Sequence, residues 1–337
     1  MTKAQLEAIA RGAGFDAVGV APAVRAPHAE AFHGWLAEGC HASMAWMARE
    51  PERRCRPEEL LPGARSVIAL GVNYFVPDQD GGSRGGKIAR YARGRDYHNF
   101  LPKRLRVIGR ALAAEGGVQR CFVDSGPLLE RDFAVLAGIA WQGKNSMVLH
   151  PKLGTWFFLA AVITTLEIEP GSPLADRCGS CTRCLDACPT AAIVAPYRVD
   201  ARRCLSYWTI EHEGALPEPI RELLGNRIFG CDDCLEACPW NRFAKASRDA
   251  NFAVRPSSMR DLRDYLSLDE AGFRKCFEGS PVRRAGRQGL LRNVCTVLGN
   301  VGTQEDLAAL DRCAGDEDPV VAEHAIWALG KIRSRAG

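Results

Sequence analysis

The stretch that decides how this chain is read is "CGSCTRCLDACP", residues 178–189. Gaps of two residues separate Cys178, Cys181 and Cys184; Cys188 follows after three, and Pro189 comes next. Three closely spaced thiolates can wrap three corners of an iron–sulfur cube, and a remote cysteine closes the fourth. In two-cluster proteins with this spacing, the last cysteine of each run serves the other cluster. A second run is therefore required. "CDDCLEACP" (231–239) supplies it in altered form, with Cys231, Cys234 and Cys238 ahead of Pro239. Its expected first cysteine would fall at Ile228, and Cys204, the one spare cysteine of the block, can take that role.

The exchange rule then gives two 4Fe-4S ligand sets in a ferredoxin-like insert. Cluster one takes Cys178, Cys181, Cys184 and Cys238; cluster two takes Cys188, Cys204, Cys231 and Cys234. A zinc ribbon uses paired CxxC knuckles and gives no reason for the longer run to occur twice. The other six cysteines (Cys40, Cys55, Cys121, Cys276, Cys295 and Cys313) read as small core residues. Two clusters make a wire of one-electron steps. It needs a small low-potential donor, such as a flavodoxin or ferredoxin, and a sink in the N-terminal region, because the C-terminal region offers no redox group.

A chain of 337 residues is expected to form two or three domains. The boundaries read as 1–168 for an α/β domain, 169–245 for the cysteine block and 246–337 for an all-helical region. Helices are expected at 2–12 and 103–116, and strands at 66–75, 119–125 and 154–168, the last of them central. "DQDGGSRGG" (78–86) reads as a loop without a nucleotide-binding glycine pattern. "VCTVLGN" (294–300) and "AIWALGK" (325–331) align at a fixed offset, each ending in an LG stop, and Asp318-Pro319 opens the second helix. Such a period fits HEAT-like repeats, or else a plain helical bundle.

"MTKAQLEAIARGAGF" has no continuous apolar core, and the run Trp156 to Ile163 is far short of the roughly 20 residues a membrane helix needs. The chain is read as cytoplasmic, free of membrane and monomeric. In that compartment thiols stay reduced, so 14 cysteines argue for metal over disulfides. Net charge is +4, but nine Lys or Arg and a single acid, Asp96, lie between Arg84 and Arg110. Arg283, Arg284, Arg287 and Arg292 form a second basic cluster. Such surfaces attract polyanions, nucleic acid first among them.

Beyond the cysteine block, the chain resembles the epoxyqueuosine reductases. The residues that carry the resemblance are "PERRCRPEELLPGARSVIALGVNY" (51–74), "KIARYARGRDYHNFLPKRL" (87–105), "FVDSGPLLERDFAVLAGIAWQGKNSMVL" (122–149), "RCLSYWTIEHEG" (203–214) and "NRIFGCDDCLEACPWNRF" (226–243). The resemblance implies a cobalamin-binding N-terminal domain and reduction of epoxyqueuosine to queuosine at the tRNA wobble base, with electrons passing through the clusters to cobalt. It assigns the proton-donor role to Asp124.

That role is chemically apt. Opening an epoxide needs an acid for the departing oxygen, and a carboxyl serves at neutral pH if burial raises its pKa. Asp124 is expected at a strand end facing a pocket, with Ser125 free to cap the following helix. The resemblance further implies cobalamin contacts at Arg54, Tyr97, Asp124, Lys144, Asn145 and Ser206. Asp96-Tyr97-His98 has the wrong spacing for an axial-histidine motif, so base-off cobalamin with no protein His ligand is expected. Arg283 and Arg287, four apart on one helix face, are expected to grip phosphates of the tRNA anticodon stem. The alternatives are a corrinoid reductive dehalogenase acting on a small molecule, disfavoured by the lack of an export signal, and a ferredoxin-type electron carrier, which needs no α/β domain.

Overall fold

Four strands build the N-terminal sheet: Ala17–Pro22 (β1), Ser66–Asn73 (β2), Gln119–Phe122 (β3) and Phe157–Thr164 (β4), in the spatial order β1-β2-β4-β3. The structure, a computed structural model, describes residues 1–78 and 86–336; the loop read at 78–86 therefore falls almost wholly outside the described residues. All of β2 is buried, as its unbroken apolar run requires, and β4 is central.

Side chains alternate across the sheet. Ile68, Leu70 and Val72 meet helices Lys3–Gly12 (α1) and Leu101–Ala114 (α2) through Leu6, Leu105 and Ile108. Val67 and Ala69 face the other way, onto Phe133 and Ala134 of Glu130–Leu136 (α3). Helices thus cover both faces. Every pairing in the sheet is antiparallel, so this is an α+β layer and not a set of βαβ crossovers. Strand β1 escapes the sequence pattern because it is short and holds Gly19, where any Cβ would collide with the Ala137 carbonyl.

The cysteine block leads into Leu205–Ile210 (α4), headed by Cys204. Arg227–Phe229, in the second half of the block, pairs in parallel with Lys87–Ile88 of the N-terminal region. The C-terminal helices Gly286–Val301 (α5), Leu307–Cys313 (α6) and Pro319–Ala336 (α7) follow. One core runs through Ile88, Leu205, Phe229, Leu291 and Leu329. The hydrophobic interior therefore continues across position 245.

Asp318 caps α7, accepting from Val320 and Val321. The LG glycines do not stop helices. Gly299 lies inside α5 and Gly330 inside α7. A side chain at Gly299 would strike the Trp327 ring, so that glycine permits close crossing of α5 and α7. Cys40, Cys55, Cys295 and Cys313 are buried, whereas Cys276 is half-buried and Cys121 is exposed on the edge strand β3.

Candidate active site

The thiols gather in two groups. Cys178, Cys181, Cys184 and Cys238 line one open cleft of about 410 Å³ with Lys144, Arg177 and Trp240. Cys188, Cys204 and Cys231 lie close enough to Cys234 to shift its ionisation, and Cys184 of the first group does so too. Burial pushes the Cys238 thiol up to about 11 and Cys231 up to about 12, and raises Cys204 and Cys234 as well. Thiols so placed bind as thiolates only when a cation offsets their charge. The buried indole Nε1 of Trp141 has no hydrogen-bond partner among the described residues, and it lies near Cys178. A donor of this kind suits sulfur. The site therefore fits iron–sulfur chemistry.

Between α3 and β4, the turn "GKNS" (143–146) braces both cysteine loops. Lys144 Nζ donates to the carbonyls of Gly179 (2.6 Å) and Cys181 (3.0 Å). Asn145, 5% exposed, donates to the Cys234 carbonyl at 3.2 Å and accepts from Met147 N–H. Their polar ends thus engage the loops that carry the thiols. Ser206 stands in the first turn of α4, two residues after Cys204.

The acid cluster lies at the end of the N-terminal sheet. Asp124 comes two residues after β3 and has φ +37°, an uncommon conformation outside glycine. Two hydrogen bonds hold it there. The Tyr97 hydroxyl donates to Oδ2, and His98 Nε2 lies 2.8 Å from Oδ1. The other ring nitrogen of His98 lies 2.8 Å from Asp96 Oδ1. Hydrogen bonds to Asp124 and Asp96, in that order, push His98 up to about 9, so it is a cation at neutral pH. Tyr97 is buried, stacked on His98 at 4.2 Å and Phe158 at 3.9 Å.

The Asp124 side chain is 46% exposed. One expectation at this turn needs correction. Ser125 does not cap a helix, because its hydroxyl donates back to the Val123 carbonyl and α3 begins only at Glu130.

Sequence reasoning missed the His98 bridge because Asp96-Tyr97-His98 was weighed as a metal motif and as a ligand contact, and not as a link to Asp124. It also missed Glu130, whose carboxyl burial pushes up to about 7, with Asp124 adding to the rise. Arg54 cradles Trp46, with its guanidinium 5.6 Å from the ring and a 2.9 Å bond to the Trp46 carbonyl; its Nε is buried without a partner among the described residues.

The second arginine cluster is mostly structural. Arg287 donates to the Leu268 carbonyl and pairs with Asp316 at 2.5 Å. Arg292 is 1% exposed and donates to the carbonyls of Trp208, His212 and Gly214. Arg284 pairs with Glu211. Arg283 precedes α5 in a separate 3-10 turn ended by Gly286 at φ +67°, so Arg283 and Arg287 do not share a helix face. Arg283 alone is exposed and without an ion-pair partner among the described residues. In the first basic stretch, Arg90, Arg93 and Arg104 are paired with acids, while Lys103, Arg106 and Arg110 stand exposed along the outer face of α2.

Comparison with known proteins fits this arrangement. Residues 177–241 match the 4Fe-4S double cluster binding domain, and residues 54–125 match the family "Epoxyqueuosine reductase QueG, DUF1730". The epoxyqueuosine reductase of Xanthomonas campestris pv. campestris is 42% identical over 340 residues, 97% of this chain and 95% of that protein. The chain belongs to the epoxyqueuosine reductase family. The Escherichia coli K12 epoxyqueuosine reductase is 41% identical over 332 residues, 94% of this chain and 86% of its own. Among solved structures, an epoxyqueuosine reductase with an epoxyqueuosine-modified tRNA-Tyr stem loop superposes with a TM-score of 0.93 at 31% identity, over 98% of this chain and 90% of the other. Another, from Bacillus subtilis, has its aspartate catalytic loop swung out of the active site; it superposes at 0.88 with 30% identity, over the same 98% and 90%.

Proposed function

We propose that this chain reduces epoxyqueuosine to queuosine within tRNA, with two 4Fe-4S clusters, a cobalamin and Asp124 as the acid. The observation that carries the reading is the pairing of two four-thiol groups with a carboxylate held by Tyr97 and a protonated His98. Cluster one falls to Cys178, Cys181, Cys184 and Cys238, and cluster two to Cys188, Cys204, Cys231 and Cys234. The proximity of Cys184 to Cys234 supports electron passage between them.

Cobalamin, when bound, supplies low-valent cobalt as the two-electron reductant of the strained ring. The family resemblance supports it, and so do two orphaned polar atoms, Arg54 Nε and the Ser146 hydroxyl, both buried and free to meet its amide or phosphate groups. Ser206, beside Cys204, is the third contact we assign. Both ring nitrogens of His98 are engaged by carboxylates, which favours base-off cobalamin without a histidine ligand from this motif.

Asp124 delivers a proton to the departing ring oxygen. Tyr97 fixes its orientation, and His98 is positioned to restore the proton afterwards, with Asp96 holding the imidazole ring in place. Glu130, poised near neutrality, suits the second proton that water release requires. Exposed Arg283 and the α2 row Lys103, Arg106 and Arg110 are the surfaces we assign to tRNA phosphates, which supply most of the affinity for such a substrate. No helix among the described residues is long and apolar enough to cross a membrane, and we place the reaction in the cytoplasm.

Anaerobic reconstitution tests the cofactor set. About eight irons per chain are expected, with corrinoid absorption bands beside the broad cluster absorption. Zinc in place of iron, or failure to take up a corrinoid, contradicts the reading.

A further inference from the structure

Electrons have to reach the thiol groups from outside, and an aromatic surface adjoins the first of them. Trp141, 1% exposed, packs edge-on against Trp240 at 4.8 Å between ring centroids. Trp240 continues to Phe243 at 5.5 Å, and Phe243 is 43% exposed. Trp240 also lines the cleft of Cys178, Cys181, Cys184 and Cys238. A contiguous aromatic row therefore runs from the first thiol group to solvent.

Cations flank this row. The Arg177 guanidinium lies 5.7 Å from both the Trp141 and the Trp240 rings, and that of Arg242 lies 4.6 Å from Phe243. Arg177, Arg183, Arg242 and Lys245 are all exposed, and among the described residues none has an ion-pair partner. Asp176, Asp186 and Glu236 of the block have partners of their own, and of the three only Glu236 pairs with a cation among the described residues. Asp176 accepts from the Tyr197 hydroxyl and Cys178 N–H, Asp186 accepts from Thr182 at 2.9 Å, and Glu236 pairs with Arg90. An aromatic row flanked by the unpaired cations Arg177 and Arg242, with Arg183 and Lys245 exposed in the same block, is complementary to a partner with the opposite charge.

We propose that this face is the landing site of a small acidic one-electron carrier protein, with Phe243 at its centre and Arg177, Arg183, Arg242 and Lys245 as the rim. The inference rests on the reading of the Cys178 group as a redox cluster. Each encounter oxidises the carrier by one electron and reduces cluster one by one. Two encounters supply the two electrons that one epoxide consumes, while the two protons come from Asp124 and Glu130 and are replaced from solvent. The second thiol group, which Cys184 of the first approaches at Cys234, lies further along the wire.

The test uses the full chain with clusters and cobalamin reconstituted, and compares wild type with the double variant Arg242→Glu/Lys245→Glu. Turnover is driven either by an acidic flavodoxin or by dithionite. With flavodoxin, the KM for the carrier should rise about tenfold in the variant, and its dependence on salt should flatten. With dithionite, which needs no docking surface, conversion should match wild type at equal iron content. Arg183→Glu provides a second, independent variant and should give the same split. An unchanged carrier KM in both variants overturns the proposal, and so does a loss of tRNA affinity with carrier kinetics intact, which would make the face an RNA surface. If wild type itself fails with dithionite, the redox reading beneath the proposal falls, a result separable from failure of the docking site.

Discussion

His98 Nε2 lies 2.8 Å from Asp124 Oδ1, and the same ring reaches Asp96 with its other nitrogen at 2.8 Å. A half-exposed carboxylate is thereby joined to a cation held by two acids. The pair sets both the orientation of Asp124 and its supply of protons.

The pair has a pH signature. His98 titrates at about 9, above its ordinary value near 6.5. Because the folded state raises this pKa, the stability it contributes is fully present below about 6.5 and is lost as pH rises through about 9. Turnover at saturating reductant should decline above about pH 9. In His98→Gln that limb should vanish and the plateau should drop. A pH–rate profile of each protein checks this, and an identical alkaline limb in the variant would remove His98 from the proton path.

Trp141 should tune cluster one. An N–H directed at a ligand sulfur stabilises the reduced, more negative cluster and raises its potential. Trp141→Phe keeps most of the packing against Trp240 and removes the donor. The midpoint potential of one cluster should fall while the other holds, as read by potentiometric titration with paramagnetic resonance detection. No change in either potential would mean that the indole is only a wall.

Arg283 and Arg287 should separate cleanly. Arg283→Glu should weaken tRNA binding and reduce the salt slope by about one unit or more. Arg287→Leu breaks a pair whose side chains are 20% and 11% exposed, and should cost about 1–3 kcal/mol of stability while leaving tRNA affinity alone. Filter binding across salt and denaturant unfolding measure the two. Equal effects on tRNA binding would contradict the division.

Gly299→Leu should be severe for packing. The side chain would enter the ring of Trp327 where α5 crosses α7, at a cost of about 1–3 kcal/mol or more. Thermal unfolding reads it, and a neutral outcome would mean that the two helices do not cross as closely as described.

Much of this was legible in the residues, and for definite reasons. Cluster ligation depends on spacing along the chain, so "CGSCTRCLDACP" and "CDDCLEACP" announce their groups, and the exchange of Cys188 and Cys238 follows. Strand β2 is buried on both faces and reads as an unbroken apolar run. What stayed hidden depends on contacts between distant segments. The antiparallel sheet needs β1, which six residues with a central glycine do not advertise. The bracing role of Lys144 and Asn145 was not visible because sequence shows a donor-rich turn but not the loop carbonyls beside it. Arg287 looked like free charge because Asp316 lies 29 positions away. The His98 bridge arises from a turn at Asp124 with φ +37°, which no pattern encodes.

The central claim is that electrons from the thiol-bound clusters reach an epoxide that Asp124 protonates. Its most direct test is mass analysis of nucleosides from epoxyqueuosine-containing tRNA. The RNA is incubated with pre-reduced wild type and with Asp124→Asn, at equal iron and corrinoid content. Wild type should yield queuosine, and the variant should be slower by about 10²- to 10⁴-fold. Equal rates, or no queuosine from the fully loaded wild type, would contradict the account.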